Sequence, residues 1–173
     1  MGRVTAYLGL GSNLDQREVN LDRAVRLLAS APGVEVVRCS SLYKTAPWGV
    51  TDQPSFLNCV LEIRTSLGPI ALLELAKGVE HKVGRKPTFR YGPRLIDVDI
   101  LLYGDQIIEI DSPDLEIPHA RMAERAFVLV PLSELAGEVK HPVLKVSVNQ
   151  LAGSVGGKEG VRLWGPPIKP SVD

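Results

Sequence analysis

An α+β fold, with an antiparallel sheet covered by helices on one face and carrying a site on the other, is what this sequence predicts. Three observations lead there. Runs with strand-like apolar patterning recur at Val4–Leu10, Val34–Tyr43, Phe56–Thr65 and Arg94–Leu101. Two segments with helical spacing separate them, giving the order β-α-β-β-α-β of two split βαβ units, a ferredoxin-like antiparallel sheet. In the third and fourth strands one face is apolar, whereas the other carries Phe56, Asn58, Asp97 and Asp99. That second face is predicted to be open and to be a site rather than a second core.

Each element has its own justification. Val4–Leu10 is the first strand, and Gly9, Gly11, Ser12 and Asn13 are expected to turn the chain into a helix. In that helix Leu21, Ala24, Val25 and Leu28 form the apolar stripe, and Pro32-Gly33 ends it. Val34 to Tyr43 reads as one second strand. A loop from Ala46 to Pro54 contains two prolines, a glycine and Trp48. Phe56 to Thr65 alternates cleanly, with Leu57, Cys59, Leu61 and Ile63 on the core side. Pro69 at the first helical position opens a second helix striped by Leu72, Leu75, Ala76 and Val79. Gly84 to Pro93 is a polar loop. After the fourth strand, Tyr103-Gly104-Asp105-Gln106 is expected to turn a hairpin into a short strand, Ile107 to Ile110. Met122 to Leu135 is an amphipathic segment disturbed by Pro131. A C-terminal helix and extension complete the prediction. The whole chain, 1–173, reads as a single domain in which 153–173 form a peripheral tail around a strand-like piece, Val161 to Trp164.

The sharpest chemical signal is the pair Asp97 and Asp99. Side chains at i and i+2 of a strand point to the same face, about 6–7 Å apart. Adjacent like charges on a sheet repel unless something compensates them. Bound Mg²⁺ would do so, since it favours a few carboxylates together with waters and phosphates; a solvated acidic pair on an edge strand is the other reading. Lys82, Arg85, Lys86, Arg90 and Arg94 crowd the loop just before this strand. Guanidinium groups bind phosphate oxygens in bidentate fashion, so cations beside metal-binding carboxylates are the ingredients of a polyphosphate site. Gly9-Leu10-Gly11-Ser12-Asn13-Leu14 lacks the third glycine of a dinucleotide fingerprint and the Lys of a phosphate-binding loop. His119 has no partner at metal-ligand spacing, which argues against zinc.

Composition excludes several classes. Lys and Arg together number 20, as do Asp and Glu, so no global field attracts nucleic acid or an anionic membrane. No signal-peptide pattern and no apolar run of membrane-spanning length is present, and Cys39 and Cys59 lack CxxC spacing. Buried thiols in a reducing compartment, and hence a cytoplasmic location, are expected. An RNA-binding sheet would need aromatics on adjacent central strands and a basic face. A non-catalytic ferredoxin-like module that binds a nucleotide or small molecule is the alternative. It would not need two strand carboxylates aimed at an arginine loop.

Four blocks, taken together, resemble 6-hydroxymethyl-7,8-dihydropterin pyrophosphokinases of folate biosynthesis. They are Tyr7-Leu8-Gly9-Leu10-Gly11-Ser12-Asn13-Leu14, Asp52-Gln53-Pro54-Ser55-Phe56-Leu57-Asn58, Gly92-Pro93-Arg94-Leu95-Ile96-Asp97-Val98-Asp99-Ile100, and Pro118-His119 with Arg125-Ala126-Phe127. The likeness runs in order from about Val4 to Leu135. It implies transfer of the β,γ-diphosphoryl group of ATP to the pterin hydroxymethyl group, with release of AMP. By position it implies that Asp97 and Asp99 bind two Mg²⁺ ions and act in catalysis with Arg85 and Arg94. It likewise places Lys77, Glu80, Arg85, Arg94, Ile100, His119 and Arg125 around the nucleotide. Asn58 matches the residue that bonds the pterin edge, Phe56 and Phe127 the aromatic pair around the ring, and Thr45, Pro47 and Trp48 the loop lining that pocket. The partners implied are ATP and the pterin alone, with no nucleic acid and no membrane, and a monomer is expected. Two positions depart from the pattern. Pro87 stands where many relatives have a second loop arginine, whose charge Lys86 or Arg90 would have to supply, and Tyr91 stands where some have Trp.

Overall fold

The computed structural model describes residues 2–46, 52–84 and 95–170. Strand β1 (Val4–Ser12) lies between β4 (Phe56–Thr65) and β5 (Asp97–Tyr103), antiparallel to both. The long β4 pairs on its other side with β2 (Val34–Cys39) along its C-terminal half and with β3 (Leu42–Thr45) along its N-terminal half. Helices α1 (Arg17–Ala29) and α2 (Pro69–Val83) pack on one face. Leu21, Ala24, Val25 and Leu28 of α1, with Leu72, Ala76 and Val79 of α2, bury the predicted stripes against Leu8, Leu57, Leu61 and Ile63. Pro69 begins α2 behind Gly68, and Gly84 ends it with φ +113°. Only glycine adopts that conformation without strain, so the helix stops there. The ferredoxin-like order predicted for the core is therefore present.

Four local expectations need correction. First, Gly9 and Gly11 do not turn the chain: β1 continues through Ser12 and both glycines lie within it. Second, Val34 to Tyr43 is two strands, broken at Ser40-Ser41. There the Ser40 hydroxyl accepts from the Val60 amide at 2.8 Å, and the Ser40 amide donates to the Val60 carbonyl at 2.8 Å. A side chain thus replaces a ladder bond, and the strand steps sideways. Third, no hairpin forms from Tyr103 back onto the sheet. Instead β6 (Ile108–Asp111) pairs with β7 (Asp114–Ile117) in a separate two-stranded sheet. The outer edge of β5 is already occupied: Glu80 accepts from the Val98 amide at 2.8 Å, and the His119 amide donates to the Leu101 carbonyl at 3.0 Å. A covered edge offers nothing for another strand to pair with.

Fourth, the second face is only half open. Helix α3 (Ala126–Ala136) lies on it, and Val128, Leu129 and Leu132 form a second core with Tyr7, Val60, Leu101 and Leu102. Leu101 is the extra residue at a register shift between Tyr7 and Leu8. This bulge turns Leu101 and Leu102 toward the same core and returns Tyr103 to the first. Pro131 is accommodated inside α3. The strand-like piece expected near the C-terminus is present as β8 (Val161–Gly165), which pairs with β3 and extends the main sheet. Before it, α4 (Val148–Ser154) starts at a capping box in which Ser147 and Gln150 satisfy each other's amides.

Candidate active site

The part of the second face left uncovered by α3 is ordered by strand register. Asp97 and Asp99 lie opposite Gly11 and Gly9 of β1, and Gly11 lies opposite Asn58 of β4. Residues paired across strands point the same way, so Asp97, Gly11 and Asn58 make one row. With strands about 4.8 Å apart, its two polar ends are anchored about 10 Å from each other. Gly11 keeps the row clear, since a Cβ there would stand 2.6 Å from Asn58 Oδ1 and 3.5 Å from the Phe56 ring. The glycine is required by close approach. Asn58 is buried and fixed, its Nδ2 donating to Thr45 Oγ1 at 2.6 Å. Phe56, two residues earlier, stands on the same face.

A cavity of about 480 Å³ occupies this region. Thr45, Phe56, Asn58 and Phe127 line one end of it. Asp97 and Asp99 line the middle, and from there it wraps over the edge of β5 to Ile100 and to Lys77 and Glu80 of α2. His119 and Arg125 also line it, and the Arg125 guanidinium lies 5.5 Å from the centre of the Phe127 ring. Every predicted site residue within the described segments therefore borders one cavity. Arg85, Arg94, Pro47 and Trp48, with Lys86, Pro87, Arg90 and Tyr91, lie outside the described residues.

Two of these groups have resolvable chemistry. Glu80 is buried, and one of its oxygens holds the Val98 amide, so it fixes α2 to the strand between the two aspartates. His119 Nδ1 accepts from the Arg121 amide at 3.2 Å, while Nε2 stands 4.0 Å from Asp99 Oδ2. A ring whose Nδ1 accepts carries its proton on Nε2, facing Asp99 and the cavity. Burial pushes the His119 pKa below its ordinary value, and Arg125 adds to this. The neutral imidazole is thus a donor that does not add a charge.

For Mg²⁺ the donor chemistry is suitable. Asp97 and Asp99 supply hard oxygen ligands from one strand face, with the Asp99 side chain 38% exposed and so open to a phosphate-bearing ligand. Sequence reasoning missed Asp114, Leu115 and Glu116 of β7 and Leu73 of α2, which also line the cavity. The alternation from Asp114 to Ile117, running into Pro118-His119, was a usable signal for β7.

Comparison with known proteins gives a consistent result. The sequence model of the family described as 7,8-dihydro-6-hydroxymethylpterin-pyrophosphokinase (HPPK) matches residues 7–137. A 2-amino-4-hydroxy-6-hydroxymethyldihydropteridine pyrophosphokinase of Bacillus subtilis is 44% identical over 159 residues, 92% of this chain and 89% of that protein. One from Methylorubrum extorquens is 46% identical over 134 residues, covering 78% and 84% of the two chains. Among solved structures, Plasmodium falciparum HPPK-DHPS with pteroate superposes with a TM-score of 0.73 at 17% identity, over 87% of this chain and 44% of that one. At that identity the likeness is one of fold.

Proposed function

We propose that this chain, which belongs to the 7,8-dihydro-6-hydroxymethylpterin-pyrophosphokinase family, works through the row Asp97–Gly11–Asn58, with nucleotide at one end and pterin at the other. It is an ATP-dependent diphosphotransferase of folate biosynthesis. The β,γ-diphosphoryl group of ATP passes to the hydroxymethyl oxygen of 6-hydroxymethyl-7,8-dihydropterin. A bond forms from that oxygen to the β-phosphorus, the bond between the β-phosphorus and its bridging oxygen to the α-phosphorus breaks, and AMP leaves while the hydroxyl proton is lost.

The observation that carries the assignment of ends is the register. Asn58, fixed by Thr45 and flanked by Phe56, suits the edge and face of a flat polar heterocycle. A buried amide of this kind discriminates strongly, because an unmatched ligand would leave it unpaired. Phe127, across the cavity, offers the second aromatic face. Asp97 and Asp99 would hold two Mg²⁺ ions, which neutralise phosphate charge when bound. Lys77, the Nε2–H of His119 and Arg125 provide donors for the polyphosphate, and Ile100 gives an apolar contact beside the nucleotide. Glu80 keeps α2 and β5 in register beneath it. Arg85 and Arg94 are assigned as phosphate-clamping catalytic groups, and Pro47 and Trp48 as part of the pterin pocket, by their place in the sequence motifs.

The reading includes a single domain acting as a monomer. A cytoplasmic location accords with the free, buried Cys39 and Cys59. The balanced charge argues against a nucleic-acid or membrane partner. Incubation with ATP, Mg²⁺ and 6-hydroxymethyl-7,8-dihydropterin should yield AMP and the pterin diphosphate in equal amounts. Release of ADP, or AMP formation independent of the pterin, would contradict it.

A further inference from the structure

The family match ends at residue 137, yet the chain beyond it returns to the site. Strand β8 pairs with β3 so that Val161 lies opposite Thr45 and Arg162 opposite Lys44. Trp164 of β8 stacks between two cations: the Arg17 guanidinium and the Lys44 ammonium each lie 5.6 Å from its ring centre. Its Nε1–H donates to Glu18 Oε1 at 2.8 Å. Both cations lead to the pterin end. Lys44 precedes Thr45, whose hydroxyl holds Asn58. Arg17 donates to the Ser55 carbonyl at 2.7 Å, immediately before Phe56. Asn13 secures the same approach, donating to the Gln53 side chain at 2.8 Å and the Pro54 carbonyl at 3.1 Å.

We propose that Trp164 is a positioning residue for pterin recognition: from β8 it ties α1 to β3, and through Arg17 and Lys44 it holds the two strand ends that carry Phe56 and Thr45. The inference rests on the pterin-end reading of Asn58 and Phe56. Its physical basis is preorganisation. Thr45 and Phe56 lie at the ends of their strands, where pairing stops and fraying costs least. Any ordering that β8 and Trp164 supply in advance is ordering the pterin need not drive on binding. The nucleotide end stands on β5, α2 and the Pro118–Arg125 segment, whereas the ring contacts and hydrogen bond of Trp164 run to α1 and β3.

Steady-state kinetics with each substrate varied in turn tests this on the full-length protein. Wild-type turnover establishes the underlying reading independently of Trp164. Trp164→Ala should raise KM for the pterin about fivefold, the order expected from losing exposed cation–π contacts. KM for ATP and kcat at saturating pterin should stay within about twofold. Trp164→Phe, which keeps the stacked ring and loses the bond to Glu18, should recover most of the affinity, and it serves as the folded comparison should the alanine variant melt early. Leu163→Ala, a change at a 70% exposed neighbour on the same strand, should leave all three parameters unchanged. Equal rises in both KM values, a fall in kcat alone, or the same effect from Leu163→Ala would overturn the proposal.

Discussion

Gly9 and Gly11 sit two residues apart on the same face of β1, and the structure predicts opposite fates for adding one methyl group to each. At Gly9 a Cβ would find the Leu101 side chain at 3.4–3.6 Å, an ordinary contact with a flexible neighbour. At Gly11 it would stand 2.6 Å from Asn58 Oδ1, so reaching 3.4 Å requires an opening of about 0.8 Å. Asn58 cannot easily yield. It is buried, its amide nitrogen is held by Thr45 at 2.6 Å, and rotating it would break that bond. Overpacking of this kind costs about 1–3 kcal/mol, and the displaced hydrogen bond accounts for about 1 kcal/mol of it. If the strain falls on the pose of Asn58, about 1–2 kcal/mol of pterin affinity is lost, roughly 5- to 30-fold in Kd.

Calorimetric titration of both variants with each substrate measures this directly. Gly11→Ala should weaken pterin binding by that factor while nucleotide affinity changes by less than about twofold, and its Tm should drop. Gly9→Ala should bind both ligands as the wild type does and unfold within about 0.5 kcal/mol of it. Wild-type pterin affinity in Gly11→Ala would refute the argument that the glycine clears a lane beside Asn58. Equal losses in the two variants would show that the face tolerates no side chain for some reason other than Asn58.

Other expectations concern single groups. Asp97→Ala or Asp99→Ala should abolish turnover with the fold intact, because neither belongs to a core and removal relieves repulsion; near-wild-type activity in either would end the two-metal reading. Asn58→Ala should weaken the pterin and spare ATP, so a matched loss of both in titration would contradict the division of the row. Arg94→Ala should damage nucleotide affinity and kcat together, Arg85→Ala mainly kcat, and Lys86→Ala kcat less than Arg85→Ala does; a Lys86 loss equal to that of Arg85 would show a shared charge in place of the missing second arginine at Pro87. His141 Nδ1 accepts from the Val143 and Leu144 amides at 3.2 and 3.1 Å, and burial lowers its pKa. The unfolded chain therefore binds the proton first. The stability due to neutral His141 is complete above about pH 6.5 and is lost as pH falls toward the lower folded value. Thermal melts of wild type and His141→Asn should diverge less at pH 5 than at pH 7; a constant difference would remove His141 from the pH response.

The periodic part of this protein was legible from its residues alone. Helical stripes and strand alternation follow from burial on one side of a regular element, and α1, α2, β4 and the inward set Ile96, Val98 and Ile100 were read correctly for that reason. The same alternation placed Asp97 and Asp99 on a common face before any coordinate was known. What the sequence lacked was information about neighbours. Gly9 and Gly11 look like turn residues locally, but Gly11 is needed because Asn58, 47 positions away, approaches it across the sheet. Val60 alternates as a site residue would, yet α3 settles over it, since an apolar helix 66 residues further on needs a surface to bury against. Likewise nothing in the helical pattern around Glu80 announces that its carboxylate is buried and holds the Val98 amide of β5. The strand at Val161–Gly165 is too short and too exposed to declare its partner, and only the free edge of β3 assigns it one. Local period is a property of the chain; which faces meet is settled by competition among all of them for the same buried surface, and that decision exists only in the folded state.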